Sequence, residues 1–159
     1  MMTFKIRRAT PDDLEGIIRL FQDTIEAVNS AHYLPEQITV WKNGASKKER
    51  WLKKISEQYF LLAEINGKLA GFGSIADDGY LDFMYVAKDL QHIGVASKIY
   101  GELEVYATKN HLVRIISDGS ITAKAFFERK GFEVVREQSI EIDNVRLTNY
   151  KMQKHLRLH

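Results

Sequence analysis

The stretch Gln91-His92-Ile93-Gly94-Val95-Ala96 follows an apolar strand and opens a long helix. Polar side chains are few there, but backbone N–H groups are plentiful. A helix start leaves its first N–H groups unpaired and carries roughly half a positive charge. Gly94 removes a Cβ where a ligand comes close to the backbone, and Ala96 keeps the next turn small. Gln91 can bond an oxygen without a fixed charge, and Lys98, one turn in, can add a cation. The chemistry this suggests is main-chain binding of an anion, a pyrophosphate cradle. The pattern is neither a P-loop nor a dinucleotide-binding glycine motif. Asp82 interrupts the apolar run Tyr80-Leu81-Asp82-Phe83-Met84-Tyr85-Val86, on the face of Met84 by the period of two. A carboxylate there is either partnered, to a backbone group or an arginine, or functional. His32 lies with Tyr33 in a loop after the first helix. His155 and His159 have i, i+4 spacing, but in a tail expected to fray, so no metal site is expected.

These residues need elements to hold them. Thr3–Arg8 reads as a strand. Thr10-Pro11-Asp12-Asp13 looks like a capped helix start, and Leu14, Ile17, Ile18, Phe21, Ile25 and Val28 form one apolar stripe on a helix of about 18 residues. Pro35 opens a short helix, Glu36–Trp41. Ser46 is expected to cap another, through about Ser56. Asn66-Gly67 joins two apolar runs as a hairpin, and Asp77-Asp78-Gly79 turns into a third strand, Tyr80–Ala87. Val95, Ile99, Leu103 and Tyr106 share a face of the helix after Gly94. Leu112–Ser117 reads as a buried strand and Thr122–Lys130 as a helix closed by Gly131. A last strand pair turns at Asp143-Asn144. The expected fold class is α/β of the α+β type: a mixed, mainly antiparallel central sheet flanked by helices. One crossover helix joins two parallel strands, and at that change of connection the pair is expected to splay into a crevice.

The chain has 159 residues, 45% of them hydrophobic, which suits one domain spanning 1–159. Lys plus Arg number 23 and Asp plus Glu 21, a net charge of +2, so neither nucleic acid nor an anionic membrane is demanded as a partner. The lysines of "KNGASKKERWLKK" alternate with helix-core residues, as on an ordinary solvated face. With no cysteine, disulfides and thiol nucleophiles are excluded. No segment approaches the ~18 apolar residues of a membrane span, and the N-terminus carries no apolar run of signal-peptide length. The expectation is a cytoplasmic protein.

The segment "LDFMYVAKDLQHIGVASKIYGELE" resembles the acyl-coenzyme A motif of the GNAT superfamily of N-acetyltransferases. Gln91, Gly94 and Ala96 match its pattern, Gln/Arg-x-x-Gly-x-Gly/Ala. "TAKAFFERKGFEVV" is similar to the family's later motif through Ala123, Phe126, Phe127, Gly131 and Phe132, and "IRRATPDDLEGIIRLF" to its first strand and helix. The resemblance spans nearly the whole chain. It implies a GNAT-like fold and an acyltransferase using acetyl-CoA as co-substrate, without a metal. The backbone of Met84, Tyr85 and Val86 would hold the pantetheine arm in the splayed crevice. The N–H groups from Gln91 through His92, Ile93, Gly94, Val95 and Ala96 to Ser97 would hold the pyrophosphate, with Lys98 nearby. Phe126 and Phe127 would flank the other side.

Acyl transfer to an amine needs a base, oxyanion donors and, for the thiolate, a proton. Many members of the family place a tyrosine where this chain has Phe127, which has no proton to give. Ser117 is a candidate donor in its place; a strand-end hydroxyl bonding backbone is the plainer account. Asp82 is the favoured base and His32 the second. Trp41 and Trp51 are candidates to line the acceptor pocket, although helix packing accounts for each. The partner is a small-molecule amine, left open among antibiotic, polyamine, amino acid, peptide and protein lysine. A homodimer is compatible with this class. The alternative function is a non-catalytic acyl-CoA sensor.

Overall fold

The computed structural model describes residues 4–157. Four strands form an antiparallel meander in the order β1 (Phe4–Arg8), β2 (Tyr59–Ile65), β3 (Lys68–Ile75), β4 (Leu81–Val86). The hairpin between β2 and β3 turns at Asn66 and Gly67, with φ of 52° and 81°, the positive values that the Asn-Gly pair tolerates. Three further strands, β5 (Arg114–Ser120), β6 (Glu133–Ile142) and β7 (Val145–His155), form a second antiparallel sheet in the order β5-β7-β6.

The two sheets meet at one parallel bridge, Tyr80 to Ile116, where the Ile116 N–H donates to the Gly79 carbonyl at 3.0 Å. The expected splay between parallel neighbours is therefore a division into two sheets. At the crotch, the Ser117 hydroxyl donates to the Leu81 carbonyl at 2.9 Å. A side chain thus takes the acceptor that a paired strand would have taken. Beyond it the facing edges of β4 and β5 have no strand partner.

Helices cover both faces of the first sheet. Helices α1 (Leu14–Ala27), α2 (Pro35–Lys42) and α3 (Lys48–Glu57) pack on one, around Ile17, Phe21, Trp51, Phe60, Leu62 and Phe72. The crossover helix α4 (Val95–Lys109) packs on the other, around Leu61, Ala63, Ile99 and Leu103. The alternation of Phe60 and Leu62 with Leu61 and Ala63 follows from the period of two. Glycines let α4 settle onto β3: a Cβ at Gly73 would stand 2.7 Å from the Ile99 side chain, and one at Gly71 3.0 Å from Val95.

Several local expectations change. Thr3 lies outside the described residues. The first helix opens as a 3-10 turn, Pro11–Asp13, held by the Asp13 carboxylate on the Thr10 N–H at 2.8 Å rather than by the Thr10 hydroxyl. Ser46 does not cap α3; its hydroxyl donates to Asn43 within another 3-10 turn, and Lys47 precedes the helix. β5 runs later than expected, and buried residues alternate along it with exposed ones. Helix α5 (Lys124–Arg129) starts later than Thr122, after a turn in which the Ala123 N–H meets the Ser120 hydroxyl. His155 belongs to β7 and faces Glu133 at 3.9 Å; His159 lies outside the described residues.

Candidate active site

The splay opens into a cleft of about 730 Å³. Its floor is β4, its far bank runs from Ser117 to Phe127, its head is the turn before α4, and α1 with the following loop closes one side. Of the residues expected in the site, Ile93 and Lys98 do not line the cleft; Asp82, His32, Ser117, Met84, Tyr85, Val86, Gln91, His92, Gly94, Val95, Ala96, Ser97, Phe126 and Phe127 do.

The head of the cleft is an array of donors. From Gln91 to Ser97 no backbone N–H has a partner among the described residues; the first intrahelical bond is Lys98 N–H to the Gly94 carbonyl, 3.0 Å. Lys98 thus spends its N–H on the helix. His92 and Gly94 have φ of 62° and 95°. Left-handed residues interleaved with ordinary ones curl successive N–H groups into a concave nest, an anion receptor. No atom lies within 4 Å of a Cβ built on Gly94. The protein therefore does not need that space for itself, and the glycine is required by its φ.

Gln91 behaves differently from expectation. Its amide turns inward and donates to the Val86 carbonyl at 2.7 Å. The buried Thr24 hydroxyl donates to the same oxygen at 2.9 Å. Gln91 therefore braces the turn against the end of β4 and leaves the anion to the main chain.

Along β4, alternate residues face β3. The Ala87 N–H to Ala70 carbonyl bond (2.8 Å) and the register Gly71–Val86, Phe72–Tyr85, Gly73–Met84 set the phase. In such a ladder Tyr85 exchanges both of its bonds with Phe72, while Met84 and Val86 point their backbone groups away from β3, into the cleft. With the Val86 carbonyl already taken, the open groups are the N–H and C=O of Met84 and the N–H of Val86. A slender chain with amide groups can complete this edge as an added strand. The nest and the edge fit a pantetheine pyrophosphate.

The acid–base candidates are placed unequally. A β-bulge falls at Asp82: Ser74 pairs with Phe83 and Ile75 with Leu81, so Asp82 has no opposite number. The bulge breaks the period of two and turns the carboxylate off the Met84 face. Its Oδ2 meets Lys54 Nζ at 2.8 Å and Gln58 Nε2 at 2.8 Å, and Gln58 Oε1 in turn accepts from Ser74 at 2.7 Å. The expected arginine or backbone partner is a lysine from α3. Ser117 is 4% exposed, and its proton is committed to Leu81. His32 is exposed on the cleft wall, with Nδ1 3.0 Å from the Thr122 hydroxyl across the cleft. Phe127 is 2% exposed, edge-on to Phe126 and Phe132.

Beside the cleft lies a second hollow of about 240 Å³, sharing Trp41, Tyr85, Asp118 and Ser120 with it. Tyr33 braces the hollow: its hydroxyl donates to the Thr148 carbonyl at 2.6 Å and accepts from the Ile121 N–H at 3.0 Å. Trp41 lines the hollow, whereas Trp51 is core, stacked 4.7 Å from Phe83. The sequence reading missed Asp118 and Tyr80. Asp118 lies within β5 and Tyr80 just before β4, and only the tertiary fold brings the two together.

Two sheets parted at a parallel bridge, a nest of N–H groups opening the crossover helix and a free strand edge between them are the architecture of a coenzyme A-dependent acetyltransferase. The chain belongs to the GNAT acetyltransferases: residues 29–154 match the Acetyltransferase (GNAT) domain family. It is 32% identical over 152 residues to the uncharacterized N-acetyltransferase YafP of Escherichia coli, covering 96% of each chain. Among solved structures it resembles a GCN5-related N-acetyltransferase from Rhodopseudomonas palustris (TM-score 0.93, 26% identity, 97% and 96% covered). A PaiA N-acetyltransferase from Thermoplasma acidophilum, solved in complex with coenzyme A, shares the fold (TM-score 0.79, 20% identity, 97% and 99% covered). Among the described residues no group of three metal-ligating side chains converges, and no helix is long and apolar enough to cross a membrane.

Proposed function

We propose that this acetyltransferase moves the acetyl group of acetyl-CoA directly onto a primary amine of a small acceptor, with both bound at once. The observation that carries this is the adjacency of the two hollows: the coenzyme cleft and the aromatic-walled pocket share Asp118, Ser120, Trp41 and Tyr85 in their linings. An acceptor seated in the smaller hollow meets the end of the pantetheine edge without any protein group intervening as a carrier.

In this reading the neutral amine attacks the thioester carbonyl. The N–C bond forms and the carbonyl electron pair moves to oxygen, where the Met84 N–H, free of the β3 ladder, is a fixed donor for the oxyanion. The pair returns, the C–S bond breaks and coenzyme A leaves as thiolate. The amine's proton passes to His32. The tautomer with Nδ1–H donating to Thr122 leaves Nε2 its lone pair, toward a cleft it already lines. Of the two expected bases, geometry favours His32, because Lys54 and Gln58 occupy the Asp82 carboxylate. Asp82 then positions the bulge, and Ser117 the crotch. With Phe127, which has no proton to give, at the thiol end, the thiolate leaves unprotonated, as a good leaving group can, and takes its proton from His32 or water.

The second reading, a non-catalytic acyl-CoA sensor, draws on that same lack of an acid at Phe127. Thiol release from acetyl-CoA across a panel of primary amines separates the two. Amine-dependent release well above hydrolysis supports transfer; saturable coenzyme binding with no amine-dependent release supports the sensor.

A further inference from the structure

We infer that the acceptor is an organic dication, and that Asp118 anchors its second, non-reacting positive charge. The inference rests on the transfer reading above and names its substrate class.

Asp118 is an exposed carboxylate on the rim shared by both hollows. Two neutral donors hold it: the Tyr80 hydroxyl at 2.8 Å on one oxygen and the Gln138 amide at 2.9 Å on the other. Burial, reinforced by Asp118, pushes the Tyr80 phenol well above its ordinary range, so Tyr80 stays a donor. No cation pairs with Asp118 among the described residues; Lys151, opposite it in the β5–β7 ladder, forms no ion pair with it. Asp82, the other acid of the cleft, is already matched by Lys54. The site therefore keeps one oriented carboxylate that no ion pair occupies, at the mouth of a pocket whose walls include Tyr33, Trp41 and Tyr85. Aromatic faces and a carboxylate together select a cation with an apolar stem.

A carboxylate that anchors a charge without taking its proton holds a nitrogen other than the reacting one. That amine must be neutral to attack, and a carboxylate at salt-bridge distance would keep it protonated. Asp118 instead fits a second ammonium or guanidinium on the same molecule, while the reacting amine faces His32 and Met84.

The test compares two acceptors of equal length, 1,5-diaminopentane and pentylamine, with wild type and Asp118→Asn. Thiol release gives kcat and KM; calorimetry in the presence of coenzyme A gives acceptor affinity. Wild type should favour the diamine by about 10- to 100-fold in kcat/KM, and Asp118→Asn should erase most of that ratio, mainly through KM. Equal use of both amines by wild type, or a preference that survives Asp118→Asn, overturns the inference while leaving transfer intact. So does a fall in kcat for both acceptors alike at constant KM, which would make Asp118 a base. Asp118-dependent diamine binding without any thiol release keeps the anchor and refutes transfer instead. If Asp118→Asn fails to fold, Tyr80→Phe, which removes a donor that orients the carboxylate, should narrow the ratio; an unchanged ratio overturns the inference as well.

Discussion

Lys54 Nζ, from α3, lies 2.8 Å from Asp82 Oδ2, at the bulge of β4. The side chains are 21% and 13% exposed, so neither charge is freely hydrated. Asp82→Asn would leave Lys54 half-buried and unmatched. It should therefore lower the melting temperature, cost less than about 10² in kcat and keep the lower inflection of the kcat/KM pH profile, unlike loss of a base. Disappearance of that inflection would return the base to Asp82.

His32 carries the complementary expectation. His32→Gln should lower kcat by ~10²–10⁴ and remove the lower inflection, so that kcat/KM rises with the neutral fraction of the acceptor alone. Coenzyme affinity, measured by calorimetry, should stay near wild type. A His32→Gln enzyme with unchanged kcat at neutral pH would leave the acceptor amine to lose its proton to water.

Gly94 sits at φ 95° with open space where a side chain would go. Gly94→Ala meets no clash but strains the nest by ~1–2 kcal/mol. It should weaken coenzyme A binding by about tenfold in calorimetry. Gly94→Glu adds a negative charge beside the phosphates and should abolish binding in a folded protein. Unchanged affinity in folded Gly94→Glu would move the phosphate site elsewhere.

Phe127 is a wall rather than a proton donor. Phe127→Tyr should keep kcat within a few-fold, because nothing in the proposed chemistry waits on that position. Phe127→Ala should cost ~3–5 kcal/mol of stability in denaturant unfolding. A many-fold loss of activity in folded Phe127→Tyr would mean that the thiol end needs an apolar surface there.

Acid should act far from the cleft, at the base of α1. The Arg7 guanidinium, bonded to both Asp13 oxygens at 2.8 and 2.9 Å, holds that carboxyl below its ordinary value of 3.8; burial opposes this and the Thr10 N–H adds to it. A folded value below the unfolded one gives stability that is present above the unfolded value and is lost as pH falls through the folded one. Asp13→Asn should therefore flatten the dependence of stability on pH below about pH 4, measured by urea unfolding. An acid limb identical to wild type would assign the loss to other carboxylates.

Local chemistry made some of this legible in the sequence. Asn66-Gly67 turns a hairpin because few pairs accept two positive φ values, and Gly94 opens α4 because a glycine between a strand and an apolar helix stripe has few other uses. The nest was visible as backbone alone. What stayed hidden depends on distance in the chain. Alternation cannot reveal a bulge, so Asp82 was placed on the wrong face, and its lysine lies 28 positions earlier, in α3. Gln91 turned inward because the Val86 carbonyl, freed by the splay, needs donors. The hollow around Asp118 draws on segments from Tyr33 to Asn149 that share no spacing.

The parted sheets also bear on how this molecule avoids its own kind. An unpaired strand edge is elsewhere an invitation to neighbouring chains, and proteins blunt such edges with charge, proline or a short span. Of the four sheet edges among the described residues, those of β4 and β5 face each other across the cleft, which the His32–Thr122 contact spans and Phe127 lines. Recessing these two edges keeps a strand-binding surface available to a slender amide chain while turning it away from neighbouring molecules.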